Sequence, residues 1–141
     1  MIGKQIPEYS SIILINTKNE ILLQLRDNNP NIADPNTLSL FAGRMEPGES
    51  KEQTIKRELY EETTIEADNM AFLFTFETDM KRFGRVARSH VFLLKGVDET
   101  KVHVQEGQGY RKITSKSDLE QHDFALISKD ILHIYFERYA S

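Results

Sequence analysis

The segment SKEQTIKRELYEETT, residues 50–64, most constrains this chain, because it predicts a helix whose closing turns are crowded with acid. Ser50 followed by Gln53 fits a capping box and sets the start, and the helix should run to about Thr63 or Thr64. At about 100° per residue Ile55 and Leu59 share one face. Glu58 and Glu62 lie about 40° apart beside that stripe, with Glu61 further round. Like charges at i,i+4 cost roughly 0.2–0.5 kcal/mol, and acids near a helix C-terminus oppose its dipole. The arrangement is uphill unless something positive covers it. A solvated acidic helix with Arg57 paired to Glu61 is one reading, and a divalent cation held by carboxylate oxygens is the other. Spacing alone does not choose between them.

The flanking segments alternate between strand and helix signals. SSIILIN and EILLQLRD, separated by TKN, predict a hairpin, and residues 27–37 a loop rich in Asn, Asp and Pro. LSLF reads as a short strand and AGRMEPGE as a turn-containing loop. MAFLFTFETD and RSHVFLLKG predict two long strands of a second hairpin, joined by MKRFGRVA. KVHVQ and YRKIT are weaker strand candidates around EGQG, and SKSDLEQ reads as a short helix. A terminal helix follows, capped by Ser128, with Ile131, Ile134, Tyr135 and Tyr139 facing the core. These elements predict an α/β fold in which helices pack on a mixed sheet.

At 141 residues, with no repeat or linker, the chain reads as a single domain, 1–141. A net charge of −4 argues against general nucleic-acid binding. The absence of cysteine excludes thiolate metal sites and cysteine nucleophiles. The N-terminal segment MIGKQIPEYSSIILIN lacks the form of a secretory signal, and no apolar run approaches a membrane span. The cytoplasm is the default location. A homo-oligomer is compatible with the sequence.

The loop before the acidic helix narrows the choice. Gly43, Glu49, Arg57, Glu58, Leu59, Glu61, Glu62 and Ile65 fill eight of nine defined positions of G-x5-E-x7-R-E-U-x-E-E-x-G-U, U being a bulky aliphatic. This run, residues 43–65, resembles the Nudix box, and the order of elements around it resembles the Nudix α/β/α sandwich. Thr64 stands where the family usually has glycine, and Ala42 where a preceding glycine is common.

The resemblance implies hydrolysis of a nucleoside diphosphate linked to another group, X, with Mg²⁺ or Mn²⁺. It implies Glu58 and Glu62 as principal metal ligands, with Glu61 contributing directly or through water and the Ala42 carbonyl as a backbone ligand. Glu49 and Arg57 are expected to pair and lock the loop, while Gly43 permits a close backbone approach. The water-activating base is either Glu58 or Glu106, in the EGQG loop. No proline follows Pro47, and no tyrosine occurs between Tyr60 and Tyr110; these absences argue against the ADP-ribose, NADH and dinucleoside polyphosphate subfamilies. What is left is most similar to a MutT-type nucleoside triphosphate pyrophosphohydrolase, with a nucleotide sugar or a catalytically silent nucleotide-binding regulator as alternatives. Phe83 or Tyr110 is a candidate to stack on a base, and Arg26 to reach a phosphate. His90, His103, His122 and His133 show no ligand spacing.

Overall fold

The structure, a computed structural model, describes residues 6–140; the expectations for residues 1–5 and 141 lie outside them. β1 (Glu8–Asn16) is the axis of the sheet. Its C-terminal half pairs antiparallel with β2 (Ile21–Leu25), as Leu14 opposite Leu22 shows. Its N-terminal half instead pairs with β4 (Phe41–Arg44), Ser10 opposite Gly43 and Ser11 opposite Ala42. Along its other edge β1 runs parallel to β6 (Arg88–Val97), which carries β5 (Ala71–Glu77) antiparallel outside it. β3 (Leu38–Ser39) and β7 (Tyr110–Ile113) both pair with β2, completing a mixed sheet.

A helix covers each face, because β1 is apolar on both. Ile12 and Leu14 point into one cluster with Phe41, Phe92, Ile55 and Leu59, the last two supplied by α1 (Lys51–Thr63). Ile13 and Ile15 point into the other, with Ile131, Leu132 and Tyr135 of α3 (Leu126–Arg138). Each such fully buried aliphatic side chain stabilises the fold by roughly 1.5–3 kcal/mol. Among the described residues no helix is long and apolar enough to cross a membrane.

Several local expectations change under tertiary packing. LSLF divides into β3 and β4 around Leu40, whose N–H donates to the Ser128 hydroxyl at 3.0 Å. Ser128 therefore ties α3 to the sheet, and Ala125 occupies the N-cap position. Along α3, Leu132 is fully buried, Ile134 is only half-buried, and Tyr139 is exposed with its ring stacked on Phe74. The β5–β6 connection contains one helical turn, α2 (Met80–Phe83). SKSDLEQ forms a 3₁₀ turn, Lys116–Glu120.

KVHVQ is not a strand. After a 3₁₀ turn, Glu99–Lys101, the chain runs past the end of α1, where the His103 N–H donates to the Thr63 carbonyl (2.9 Å) and the Gln105 N–H to that of Glu62 (2.8 Å). These donors satisfy carbonyls that a helix end otherwise leaves unpaired. The other end of α1 has the capping box read from the sequence, with the Ser50 hydroxyl accepting from the Gln53 N–H at 3.1 Å and the Gln53 side chain accepting from the Ser50 N–H at 2.8 Å.

Thr64 closes α1 in the left-handed region, at φ 65° and ψ 8°. A β-branched residue resists that conformation, which glycine adopts freely, while the Thr64 hydroxyl recovers part of the cost by donating to the Lys101 carbonyl at 3.3 Å. Thr64→Gly is expected to stabilise the protein by about 0.5–1 kcal/mol in denaturant unfolding. A clear loss of stability would show that the hydroxyl contact outweighs the strain.

Candidate active site

The site forms where α1 passes under the turn from β4. Glu58 packs directly beneath Gly43, so close that a Cβ on residue 43 would lie 2.0 Å from the Glu58 carboxyl carbon. Glycine is needed here for approach, not for backbone freedom. Between Gly43 and α1, the loop is clamped by Arg57. Its Nε and Nη2 donate to the two Glu49 oxygens, each at 2.8 Å, and Nη2 also reaches the Arg44 carbonyl at 3.3 Å. Planar guanidinium and carboxylate groups match in this two-point geometry. Thr54 adds a hydroxyl bond to Glu49 at 3.0 Å. The Arg57 guanidinium, chiefly, and the Glu46 N–H hold the Glu49 carboxyl down to about 2.

The acids diverge in their surroundings. Arg57 Nη1 lies 2.7 Å from Glu58 and 3.6 Å from Glu61, so the pair with Glu61 read from the sequence exists but is the longer of the two. Glu62 is buried, only 8% exposed. Burial, then Glu58, then Glu106 and Glu61, push its carboxyl up to about 9. Glu106 is brought to the cluster by tertiary contacts. Its carbonyl accepts from Gln24, and next to it Gly107 passes so near β2 that a Cβ there would lie 2.5 Å from the Leu25 carbonyl oxygen.

Glu58, Glu61, Glu62 and Glu106 offer only carboxylate oxygens, the donor chemistry of a hard divalent cation. The buried Glu62, whose strongest charged neighbours are all acids, is the group a cation would relieve. Among the described residues no three acidic or imidazole groups already converge on one point. Glu58 is turned onto Arg57, and a cation would compete with that guanidinium.

Two neighbouring hollows lie on the α3 face. The smaller, about 190 Å³, runs from Ala42 past Ser11, Ser39 and Arg26 to Ala125 and Ile127. The larger, about 380 Å³, shares Ala125 and Ile127 and is walled by Tyr9, Phe76, Phe83, Arg85 and Arg88. Phe83 therefore walls the larger hollow, and Ala42 lines the smaller. Arg26 reaches the smaller hollow but donates Nε and Nη2 to the Ala33 carbonyl (3.0 and 2.7 Å), stapling the 27–37 loop. Tyr110 is not brought there. Its hydroxyl donates to Glu99 at 2.5 Å and its ring packs against the α1-side core, so base stacking by Tyr110 gives way to a structural role. Tyr9 and Phe76 were missed as cavity residues, because strand aromatics give no local sign of which ones face a hollow. His90 bridges Glu8 and Thr75, each at 2.8 Å.

The family model described as NUDIX domain matches residues 7–134. The chain belongs to that family. By class it is a hydrolase of pyrophosphate bonds, and Nudix hydrolases generally use divalent metals. Its fold is similar to a MutT protein from Methanosarcina mazei Go1, at TM-score 0.77 and 21% identity, over 98% of this chain and 97% of that one. It is similar also to the NUDIX domain of Shewanella oneidensis NrtR complexed with ADP ribose, at TM-score 0.76 and 17% identity, over 98% and 91%. A third is a bifunctional NMN adenylyltransferase/ADP ribose pyrophosphatase from Francisella tularensis, at TM-score 0.72 and 19% identity, over 98% and 42%. These likenesses establish the Nudix sandwich with its mixed sheet. No curated protein matches the chain.

Two measurements test the site without substrate. Gly43→Ala should leave the protein folded but displace the Glu58 carboxylate, weakening Mn²⁺ binding by about tenfold or more in calorimetry; unchanged affinity would count against the close approach. The second concerns pH. A carboxyl raised in the folded state contributes stability fully present below its unfolded value near 4.5 and lost as pH rises toward about 9. Metal-free Glu62→Gln should therefore be more stable than the parent at pH 8, by about 1 kcal/mol or more. That advantage should vanish by pH 4. An equal or larger advantage at pH 4 would contradict the raised value.

Proposed function

We propose that the protein is a divalent-cation-dependent pyrophosphohydrolase of the cytoplasm that cleaves a nucleoside diphosphate linked to X. The favoured substrate is a nucleoside triphosphate, giving nucleoside monophosphate and pyrophosphate. The observation that carries the reading is the buried Glu62 carboxylate, set among Glu58, Glu61 and Glu106 beneath the Gly43 turn. Mg²⁺ or Mn²⁺ in such a site neutralises phosphate charge and favours in-line attack by water. Glu58, Glu61 and Glu62, with the Ala42 carbonyl, would hold it. Arg57 and Glu49 keep the loop and helix in register around it.

The aromatic cavity would take the nucleoside half, with Phe83 as a stacking wall and Arg26 beside Ala42 in the neighbouring hollow. Water adds to phosphorus, the P–O–P bridge breaks, and the water proton passes to Glu58 or Glu106. Of the two, Glu106 is free of the Arg57 contact that holds Glu58. A nucleotide linked to ribose is the second reading, because the NrtR domain of the same fold is complexed with ADP ribose. The lack of proline beyond Pro47 weighs against it.

A screen with Mg²⁺ across nucleoside triphosphates, nucleotide sugars, ADP-ribose and dinucleoside polyphosphates, with products separated, is expected to yield monophosphate plus pyrophosphate from a triphosphate. Glu62→Gln should lower kcat by about 100-fold or more, and Glu49→Gln by about 10–100-fold through loss of the clamp. Full turnover by Glu62→Gln would remove the metal assignment. Binding of nucleotides with no turnover by the parent protein would instead favour the regulator.

A further inference from the structure

The β5–β6 connection supplies Phe83 to the aromatic cavity, yet α2 is a single turn and too short to hold its own shape. The neck of this arm is closed by Thr78, whose hydroxyl accepts from the Ala87 N–H at 2.7 Å and donates to the Arg85 carbonyl at 2.8 Å. Toward the tip, one side chain reaches across to α3: Arg82 Nη1 lies 2.8 Å from Asp130 Oδ1. The same guanidinium sits 4.9 Å from the centroid of the Phe83 ring. Asp130 is one helical turn beyond Ile127, which lines the cavity opposite Phe83.

Asp130 is not an ordinary surface acid. Its side chain is 20% exposed, and among the described residues its second oxygen is buried with no hydrogen-bond partner. Among those residues its ion-pair partner is Arg82, in surroundings that strengthen the attraction relative to open water. Arg82 is suited to the link because a planar guanidinium can pair with a carboxylate and lie on an aromatic face at once.

We propose that Arg82 and Asp130 form a latch that positions Phe83 as the base-facing wall of the aromatic cavity, so that an ion pair outside the cavity sets affinity for the nucleoside. Neither residue lines the cavity; both are positioning residues. The inference rests on the reading of that cavity as the nucleoside site. Because the Arg82 side chain is 58% exposed, the pair contributes little to global stability, so its loss should appear in binding and not in melting temperature.

The test measures affinity of the metal-free protein for AMP, GMP, CMP and UMP by calorimetry, together with kcat and KM for the best substrate of the screen. R82A and D130N should each raise the monophosphate Kd and the substrate KM by about tenfold, with kcat and melting temperature unchanged. R82K keeps the charge without the planar stack and should fall between. In an F83L background R82A should add nothing, because the residue it positions is gone. Unchanged Kd in R82A and D130N, additive effects with F83L, or a fall in kcat at constant KM would each overturn the latch. So would a parent protein that binds none of the monophosphates. A parent that binds them but hydrolyses nothing would count against the hydrolase reading alone, and the Kd series would still decide the latch.

Discussion

The two-point contact between Arg57 and Glu49 is the interaction around which the site is organised. It spans the turn between β4 and α1, fixing where the strand ends relative to the helix. With that distance set, Gly43 can rest on Glu58 without a side chain intervening. The same guanidinium then reaches Glu58 and Glu61, so one cation holds carboxylates of both the loop and the helix. Of the helix acids beside it, Glu62 is the one it does not pair with. Sited on the buried side, it is left facing other acids, and burial together with those acids holds its carboxyl above the usual carboxylate range.

The split partnership of β1 has an equally direct consequence. Because its first half pairs with β4 and its second with β2, those two strands diverge along one edge of β1, and Ser11, Gln24 and Ala42 line the smaller hollow there. The arm between β5 and β6 walls the larger hollow on the α3 face, and its link to α3 joins a local turn to the far side of the fold. The acids of α1 and the aromatic cavity therefore stand on opposite faces of the sheet.

What the sequence by itself determined was local. The spacing from Gly43 to Ile65 fixed the helix, its cap and which acids share an edge, because these follow from 3.6 residues per turn and from capping chemistry. The long strands were legible too, from their apolar runs. Only tertiary structure decided the rest. Whether Glu62 keeps its proton depends on burial by residues distant in sequence. Glu106 belongs with the acids because the end of α1 draws the N–H of Gln105 away from any sheet. The α3 cap moved off Ser128 because Leu40 needed an acceptor. Tyr110 and Phe83 looked alike as aromatics beside loops, but strand register turned Tyr110 toward the α1-side core, while the turn between β5 and β6 carried Phe83 to a cavity. Helical periodicity is written in neighbouring residues, whereas burial, register and the walls of a cavity arise from contacts across the whole chain.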